Sequence, residues 1–227
     1  MAAPGGAATA EGPGIALFDL DGTLTRHDTL WAYVHGFLHR HPWRAPGAVR
    51  VLPELLRFAA GRADHGSVKS AFIQGTLRGC TRAELSAWTG RFVPRLIAHG
   101  LWRDALACLD AHRARGDRLV LMSASVDLYV PAIGSALAFA EVLCTPLRWN
   151  GERLEGSLAG PNLRGAAKAR ALRELRERHP GLSITAYGNA ESDLGHLCLA
   201  DRGVLVNGSR HARPSAARLG LTCERWR

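Results

Sequence analysis

Cysteine is scarce and scattered in this chain. The five present (Cys80, Cys108, Cys144, Cys198 and Cys223) are odd in number and far apart, and no pair has metal-ligand spacing. That argues against a disulfide framework and against a structural zinc site, and it fits a reducing compartment, so a cytoplasmic protein is expected. Acidic residues are outnumbered, 20 against 29 Lys and Arg, for a net charge of +9. A surplus of that sign favours anionic partners such as phosphorylated metabolites, anionic lipid surfaces or nucleic acid, although an Arg-rich solvated surface accounts for it equally. Clustered Lys/Arg runs are lacking, so no nucleic-acid arm is expected. Long apolar runs are lacking too. An amphipathic run from Pro46 to Ala60 is too short to span a bilayer and carries Arg50, Glu54 and Arg57, though it could lie in an interface with its arginines near lipid head groups. The first fourteen residues have neither a basic start nor an apolar segment, and 1–14 read as a flexible Ala/Gly/Pro-rich tail rather than a signal peptide. Low-complexity arrays and solenoid repeats are also missing. The 227 residues allow one core domain plus a substantial insertion.

What is present is concentrated first in Phe18-Asp-Leu-Asp-Gly-Thr-Leu-Thr25. The unbroken apolar Ile15-Ala-Leu17 before it reads as the end of a buried strand. Asp19 and Asp21 are two apart, so both can face one side where the strand opens into a loop, and Gly22 lets the backbone turn sharply there. Asp-Gly after a strand is also a common turn. Two carboxylates at the carboxyl end of a buried strand are costly, however, without a cation or a reaction to use them.

Asp19-Leu-Asp-Gly-Thr-Leu-Thr25 resembles the first motif, Asp-x-Asp-x-Thr, of the haloacid dehalogenase-like (HAD) hydrolases. The resemblance implies that Asp19 is the nucleophile that takes up a phosphoryl group and Asp21 the general acid/base. It also implies a Mg2+ ion screening the charge between carboxylate and phosphate, held by Asp19, Asp21, Asn189 and Asp193. A second Asp separates the phosphatases and phosphotransferases of this family from its dehalogenases, because an alkoxide leaving group needs a proton.

From about 27 to 100 the chain reads helical. Leu30, Trp31, Val34, Phe37 and Leu38 keep helical spacing, and Pro53 predicts a kink or a restart within the 46–60 run. Thr81 with Glu84 three residues on predicts a capped helix over Arg82–His99. A helical insertion in this place is similar to the C1 cap of HAD enzymes, which excludes water and recognises the leaving group. Trp31, Tyr33, Trp43 and Phe58 could meet a lipid surface, but packing in the insertion's own core is the favoured expectation. Leu119-Val-Leu-Met122 reads as a strand running into Ser123-Ala-Ser125, which resembles the second HAD motif. By that resemblance Ser123 and the backbone of Ala124 bind phosphoryl oxygens; capping is the ordinary use of such a serine. The short strands between Val142 and Leu158, with their Asn150-Gly151 turn, leave no room for a second globular cap. Lys168, at the start of a helix, matches the third motif, a cation that neutralises nucleophile and phosphate. Gly188-Asn-Ala-Glu-Ser-Asp193 resembles the fourth, with one departure: Asn189 stands where an acidic residue is usual, so Asp193 is the single carboxylate there. Arg202 to Asn207, with Gly208-Ser209 after it, reads as the last short strand and its turn, and the rest, to Arg227, reads as a basic tail that Leu219, Leu221 and Trp226 can anchor.

The expected fold is therefore α/β: a Rossmann-like doubly wound parallel sheet (15–26 and 101–227) with a helical C1 cap over 27–100. The pattern is similar to HAD subfamily IB, which includes phosphoserine and phosphatidylglycerophosphate phosphatases. It implies a Mg2+-dependent phosphomonoesterase acting through an aspartyl-phosphate on a small or lipid-linked phosphate, with peripheral contact at the inner face of an anionic membrane as part of the lipid alternative. Asp28 lies near where phosphoserine enzymes carry a Glu for the substrate amine, while Val68–Gln74 offers no Arg for a serine carboxylate. A phosphotransferase and a non-catalytic anion-binding module are the remaining alternatives.

Overall fold

The computed structural model describes residues 12–227. The expected tail up to position 11 lies outside the described residues, and 12–14 lead directly into the first strand. Six strands form one parallel sheet in the order β3-β2-β1-β6-β7-β8: β1 (Ile15–Phe18), β2 (Arg118–Val126), β3 (Glu141–Thr145), β6 (Ile184–Gly188), β7 (Arg202–Val206) and β8 (Thr222–Glu224). Leu17 of β1 lies opposite Val120 of β2 on one side and Ala186 of β6 on the other. A strand paired on both edges and covered on both faces reads as an unbroken apolar run, as Ile15–Phe18 does.

Alternation along β1 sends its side chains to two separate cores. Ala16 and Phe18 join Leu109, Leu121, Ile133 and Val204 on one face. Ile15 and Leu17 join Val120, Leu172, Leu197 and Ala216 on the other. The covering helices are α5 (Arg103–Ala114) and α6 (Val130–Ala136) on the first face, and α7 (Ala166–Arg178), α8 (Leu194–Leu197) and α9 (Ala212–Arg218) on the second. From β1 the chain winds to β2 and β3, then returns to β6 on the opposite side of β1. This reversal opens a crevice at the carboxyl end of β1, where such sheets bind ligands.

Between β1 and α5 lies the helical insertion: α1 (Thr29–Arg40), a 3-10 segment (Pro42–Val51), α2 (Leu52–Ala59), α3 (His65–Leu77) and α4 (Arg82–His99). Asp28 caps α1 by accepting from Trp31 N–H at 2.9 Å, and Thr81 with Glu84 forms the capping box of α4 that the sequence predicts. Pro53 falls in the first turn of α2, so it starts a helix rather than kinking one. The insertion has no core of its own. Tyr33, Phe37, Trp88 and Phe92 belong to the same cluster as Phe18 and Leu121, and Tyr33 stacks on Tyr129 at 4.7 Å. The two connections run side by side, with Thr25 bridged to Leu101 and Trp102 N–H donating to Leu24 C=O at 3.0 Å.

Of the four aromatics expected to pack inside the insertion, only Tyr33 is buried; Trp31, Trp43 and Phe58 are exposed. The hairpin of β4 (Leu147–Asn150) and β5 (Arg153–Leu158) is the sole element between β3 and α7. It docks on the end of α3, with Gly79 N–H donating to Leu154 C=O at 2.8 Å and Leu154 N–H to Cys80 C=O at 2.9 Å. The expected basic tail instead contains α9 and the edge strand β8. Trp226 is anchored there, its N–H on Asn207 Oδ1 at 2.9 Å, whereas Leu219 is exposed.

Candidate active site

The sheet ladder runs one residue past β1: Asp19 N–H donates to Tyr187 C=O at 3.0 Å, which fixes the backbone of the first carboxylate against β6. Asp19 is buried. Its Oδ1 accepts from Lys168 Nζ at 2.6 Å and its Oδ2 from the Thr23 hydroxyl at 3.1 Å. Lys168, in the first turn of α7, also reaches Asp193 Oδ1 at 2.8 Å, and it too is buried. One ammonium therefore joins the first, third and fourth sequence motifs. The other oxygen of Asp193 accepts from the N–H groups of Asn189 at 3.2 Å and Ala190 at 3.0 Å, which shapes the turn after β6.

Asp21 is held separately. Thr29 N–H donates to its Oδ1 at 2.6 Å and the Ser125 hydroxyl to its Oδ2 at 2.6 Å. Gly22 between these groups has φ +79, and a Cβ built on it would come within 2.0 Å of Asn189 Nδ2. The turn after Asp21 and the side chain of Asn189 thus occupy adjoining space, and only glycine serves there. Ser123 is fully buried behind the cavity, its Oγ accepting from Ser125 N–H at 3.0 Å. Ala124 lines the cavity. Asp28 lines it as well, while serving as the cap of α1. The cavity has a volume of about 290 Å³, and Asp19, Asp21, Lys168, Asn189 and Asp193 are all in its wall.

Burial sets the electrostatics. It pushes the Asp19 carboxyl up to about 7, opposed by Lys168 and reinforced by the Asp193 charge. Asp21 is held above the ordinary carboxylate value by burial and then by Asp28, against the hydrogen bonds from Ser125 and Thr29. Burial acting alone would lower Lys168, but the carboxylates of Asp19 and Asp193 overcome it and keep the ammonium above its usual value. For Asp193 the pull of Lys168 and His196 outweighs burial and depresses the carboxyl.

Two buried carboxyl groups, Asp19 and Asp193, and the half-buried Asp21 against one buried ammonium leave negative charge that a hard cation would offset. Among the described residues no three His, Cys, Asp or Glu side chains form a ready-made metal cage. That fits magnesium, which usually takes one or two carboxylates, with water and substrate phosphate completing its shell. The donor set of the cavity wall, all oxygen from Asp19, Asp21, Asn189 and Asp193, fits the same ion.

Four further residues belong to this neighbourhood. Ser125 orients Asp21 and stands two residues after Ser123, so strand alternation was the available signal. Lys69, from α3, crosses to the sheet, donating to Ala124 C=O at 2.5 Å and to Asn162 Oδ1 at 2.6 Å. It lies within the Val68–Gln74 stretch where the sequence offers no arginine. Burial pulls it down to about 8, with Asp21 and Asp28 acting the other way. Arg26 and Arg164 also line the cavity; no local sequence pattern marks them.

A family model for haloacid dehalogenase-like hydrolases matches residues 16–197. The chain belongs to that family. Among curated relatives, Protein CicA of Caulobacter vibrioides is 32% identical over 200 residues, covering 83% of this chain and 84% of that protein. Phosphoserine phosphatase SerB1 of Mycobacterium tuberculosis is 26% identical over 215 residues, covering 90% of this chain and 68% of that protein. Among solved structures, a Bordetella pertussis Tohama I protein of unknown function superposes with a TM-score of 0.79 at 24% identity, over 94% of this chain and 98% of that one. The fold is thus shared well beyond sequence likeness.

Proposed function

We propose that this HAD hydrolase is a Mg2+-dependent phosphomonoesterase that works through an aspartyl-phosphate on Asp19, with the insertion 27–100 acting as a C1 cap over a core of 15–26 and 101–227. One observation carries the reading: two carboxylates at the switch point of the sheet are held by different partners, Asp19 by a buried ammonium and Asp21 by a hydroxyl and an N–H. Two roles need two such environments. Asp19 attacks phosphorus as the P–O bond to the leaving alcohol breaks. Asp21, whose carboxyl burial holds above its ordinary value, gives its proton to that alcohol. Ionised again, Asp21 takes a proton from the water that attacks the phosphoryl group, and Asp19 is released with inorganic phosphate. Lys168 and the Ser123–Ala124 segment of β2 hold the phosphoryl oxygens. Asp19, Asp21, Asn189 and Asp193 would hold Mg2+, which supplies charge neutralisation when bound. Asn189 contributes a neutral amide oxygen in place of a carboxylate.

The substrate is a small or lipid-linked phosphate within the same reading. A groove of about 310 Å³ between α1 and α4, lined by Ala32, Phe92 and Leu96, shares His27 and Asp28 with the catalytic cavity. An apolar groove next to the leaving-group side favours an amphipathic alcohol, and a cytoplasmic enzyme would meet it at the inner membrane face. Phosphoserine is the alternative, supported by the likeness to SerB1 and by Asp28 in the cavity wall. The test is phosphate release from aryl phosphate, phosphoserine, sugar phosphates and lipid phosphates, with Mg2+ or with chelator. Mg2+-dependent turnover with lipid phosphates ahead of phosphoserine is expected. Turnover indifferent to chelator would remove the metal from the reading, and no turnover of any phosphate would overturn it. Added alcohols that capture the phosphoryl group would make the enzyme a phosphotransferase.

A further inference from the structure

The 3-10 segment Pro42–Val51 and α2 contain no buried residue at all. Apolar side chains at the spacing of Leu52, Leu55 and Leu56 would face a core in an ordinary globular helix. Here they are exposed, as are Val49 and Phe58, with Trp43 at 70% and Leu56 at 72% exposure. Contiguous apolar surface of this kind marks an interaction site.

The segment is fixed to the body from its other side. Gly47 and Gly75 bring the 3-10 backbone against α3: a Cβ on Gly47 would come within 1.9 Å of the Gly75 carbonyl oxygen, and one on Gly75 within 2.4 Å of the Gly47 oxygen. Arg44 adds a hydrogen bond to Arg78 C=O at 3.0 Å. The apolar side is therefore held outward by backbone contact.

Its surroundings are basic. Arg50, Arg57 and Arg62 are exposed on the same short stretch, and the one acid among them, Glu54, is paired with Arg57 at 3.1 Å. The patch also adjoins the catalytic mouth. Trp31, exposed and three residues from Asp28, stacks on Phe72 of α3 at 5.5 Å. Phe58 lies 4.8 Å from the ring of His65, which burial and then the Arg164 charge hold below its ordinary value. Asp28 and Arg164 both line the cavity.

We propose that this face docks the protein on an anionic lipid surface, with Trp43, Leu52, Leu55, Leu56 and Phe58 entering the headgroup–acyl boundary and Arg50, Arg57 and Arg62 meeting lipid phosphates. Apolar and aromatic side chains rimmed by arginine are the chemistry of an interfacial helix. A second copy of the chain is a poorer occupant, because an isologous contact would set these arginines against themselves. Docking in this way would hold the cavity mouth beside the interface.

The test is co-sedimentation of the full chain with phosphatidylcholine vesicles with and without phosphatidylglycerol, at low and high salt. Binding is expected only with phosphatidylglycerol, falling as salt rises. Leu55→Glu with Leu56→Glu, and separately Arg50→Gln with Arg57→Gln, should each weaken it about tenfold, while aryl phosphate turnover in buffer stays unchanged. These side chains are exposed, and retained turnover verifies folding. Absence of binding to phosphatidylglycerol vesicles would overturn the proposal, as would equal binding of wild type and the Leu55/Leu56 variant. So would a dimer, seen by light scattering, that this variant dissolves. Vesicle binding needs no catalysis, so a chain that sediments but hydrolyses no phosphate would refute the phosphatase reading and leave this one standing.

Discussion

At the scale of single residues, the site is organised by the cost of burying Asp19. Asp19→Asn removes the proposed nucleophile and the buried charge together. Turnover of aryl phosphate should fall about a thousandfold or more, while the metal-free protein gains about 1 kcal/mol, read as a higher Tm. A variant that stays active, or that loses stability, would contradict the role assigned to Asp19. The same residue sets a pH dependence. Its folded value lies near 7 against 3.8 for an ordinary carboxyl. The folded state therefore binds more protons across that window, and stability of the metal-free protein should decline as pH rises through it. Asp193, depressed by Lys168, contributes in the opposite sense: its stabilisation is present above the ordinary carboxyl value and is lost as pH falls below it. If Asp19 holds Mg2+ as proposed, the ion would offset its charge, so the Tm difference between Mg2+ and chelator should widen as pH rises toward 7. A difference independent of pH would mean that Asp19 is not a metal ligand. The residues were legible in the sequence where chemistry and spacing coincide: Asp19, Asp21, Lys168 and Asp193 sit at strand ends or helix starts that apolar runs announce. Lys69, Arg26 and Arg164 were not legible, because their place depends on how the insertion lies over the sheet.

At the scale of elements, α3 is the link between insertion and sheet. Lys69 spans the gap, and its partner Ala124 C=O also accepts from Thr145 Oγ1 at 2.7 Å, so the carbonyl is not orphaned when Lys69 is lost. Lys69→Met should therefore cost only about 1 kcal/mol of stability. It should lower kcat/KM about tenfold, since the Ser123–Ala124 segment of β2 loses its brace. Unchanged kinetics in this variant would restrict Lys69 to packing. Helix starts are legible in the residues themselves: the capping box at Thr81 and the restart at Pro53 are local chemistry. The edge strand β8 is not. Three residues, Thr222–Glu224, carry no periodicity, and their strand geometry comes from the edge that β7 offers. Trp31, Trp43 and Phe58 are exposed although the expectation packs them inside the insertion, because helical spacing shows which side of an element is apolar but not whether anything covers it.

At the scale of the molecule, insertion and sheet share one hydrophobic cluster. Tyr33→Ala, which empties the stack on Tyr129 and the hydrogen bond to Thr89 at 2.9 Å, should cost about 3–5 kcal/mol. Because the cluster is continuous, unfolding in urea should remain a single transition by both tryptophan fluorescence and far-UV circular dichroism. Two separated transitions would show that the insertion folds alone. The general layout, a parallel sheet interrupted after its first strand by helices, follows from where apolar runs stop and helical spacing begins. The shared cluster does not, since nothing local in Tyr33 or Tyr129 names the other. That sharing bears on how such enzymes can be re-engineered. A helical insertion that borrows half its interior from the sheet is not an interchangeable part: transplanting 27–100 into a relative would carry across Tyr33, Trp88 and Phe92 without the Phe18, Leu121 and Tyr129 surface that receives them. New substrate preferences in this chain should come more readily from point changes along the α1–α4 groove than from exchange of the whole insertion.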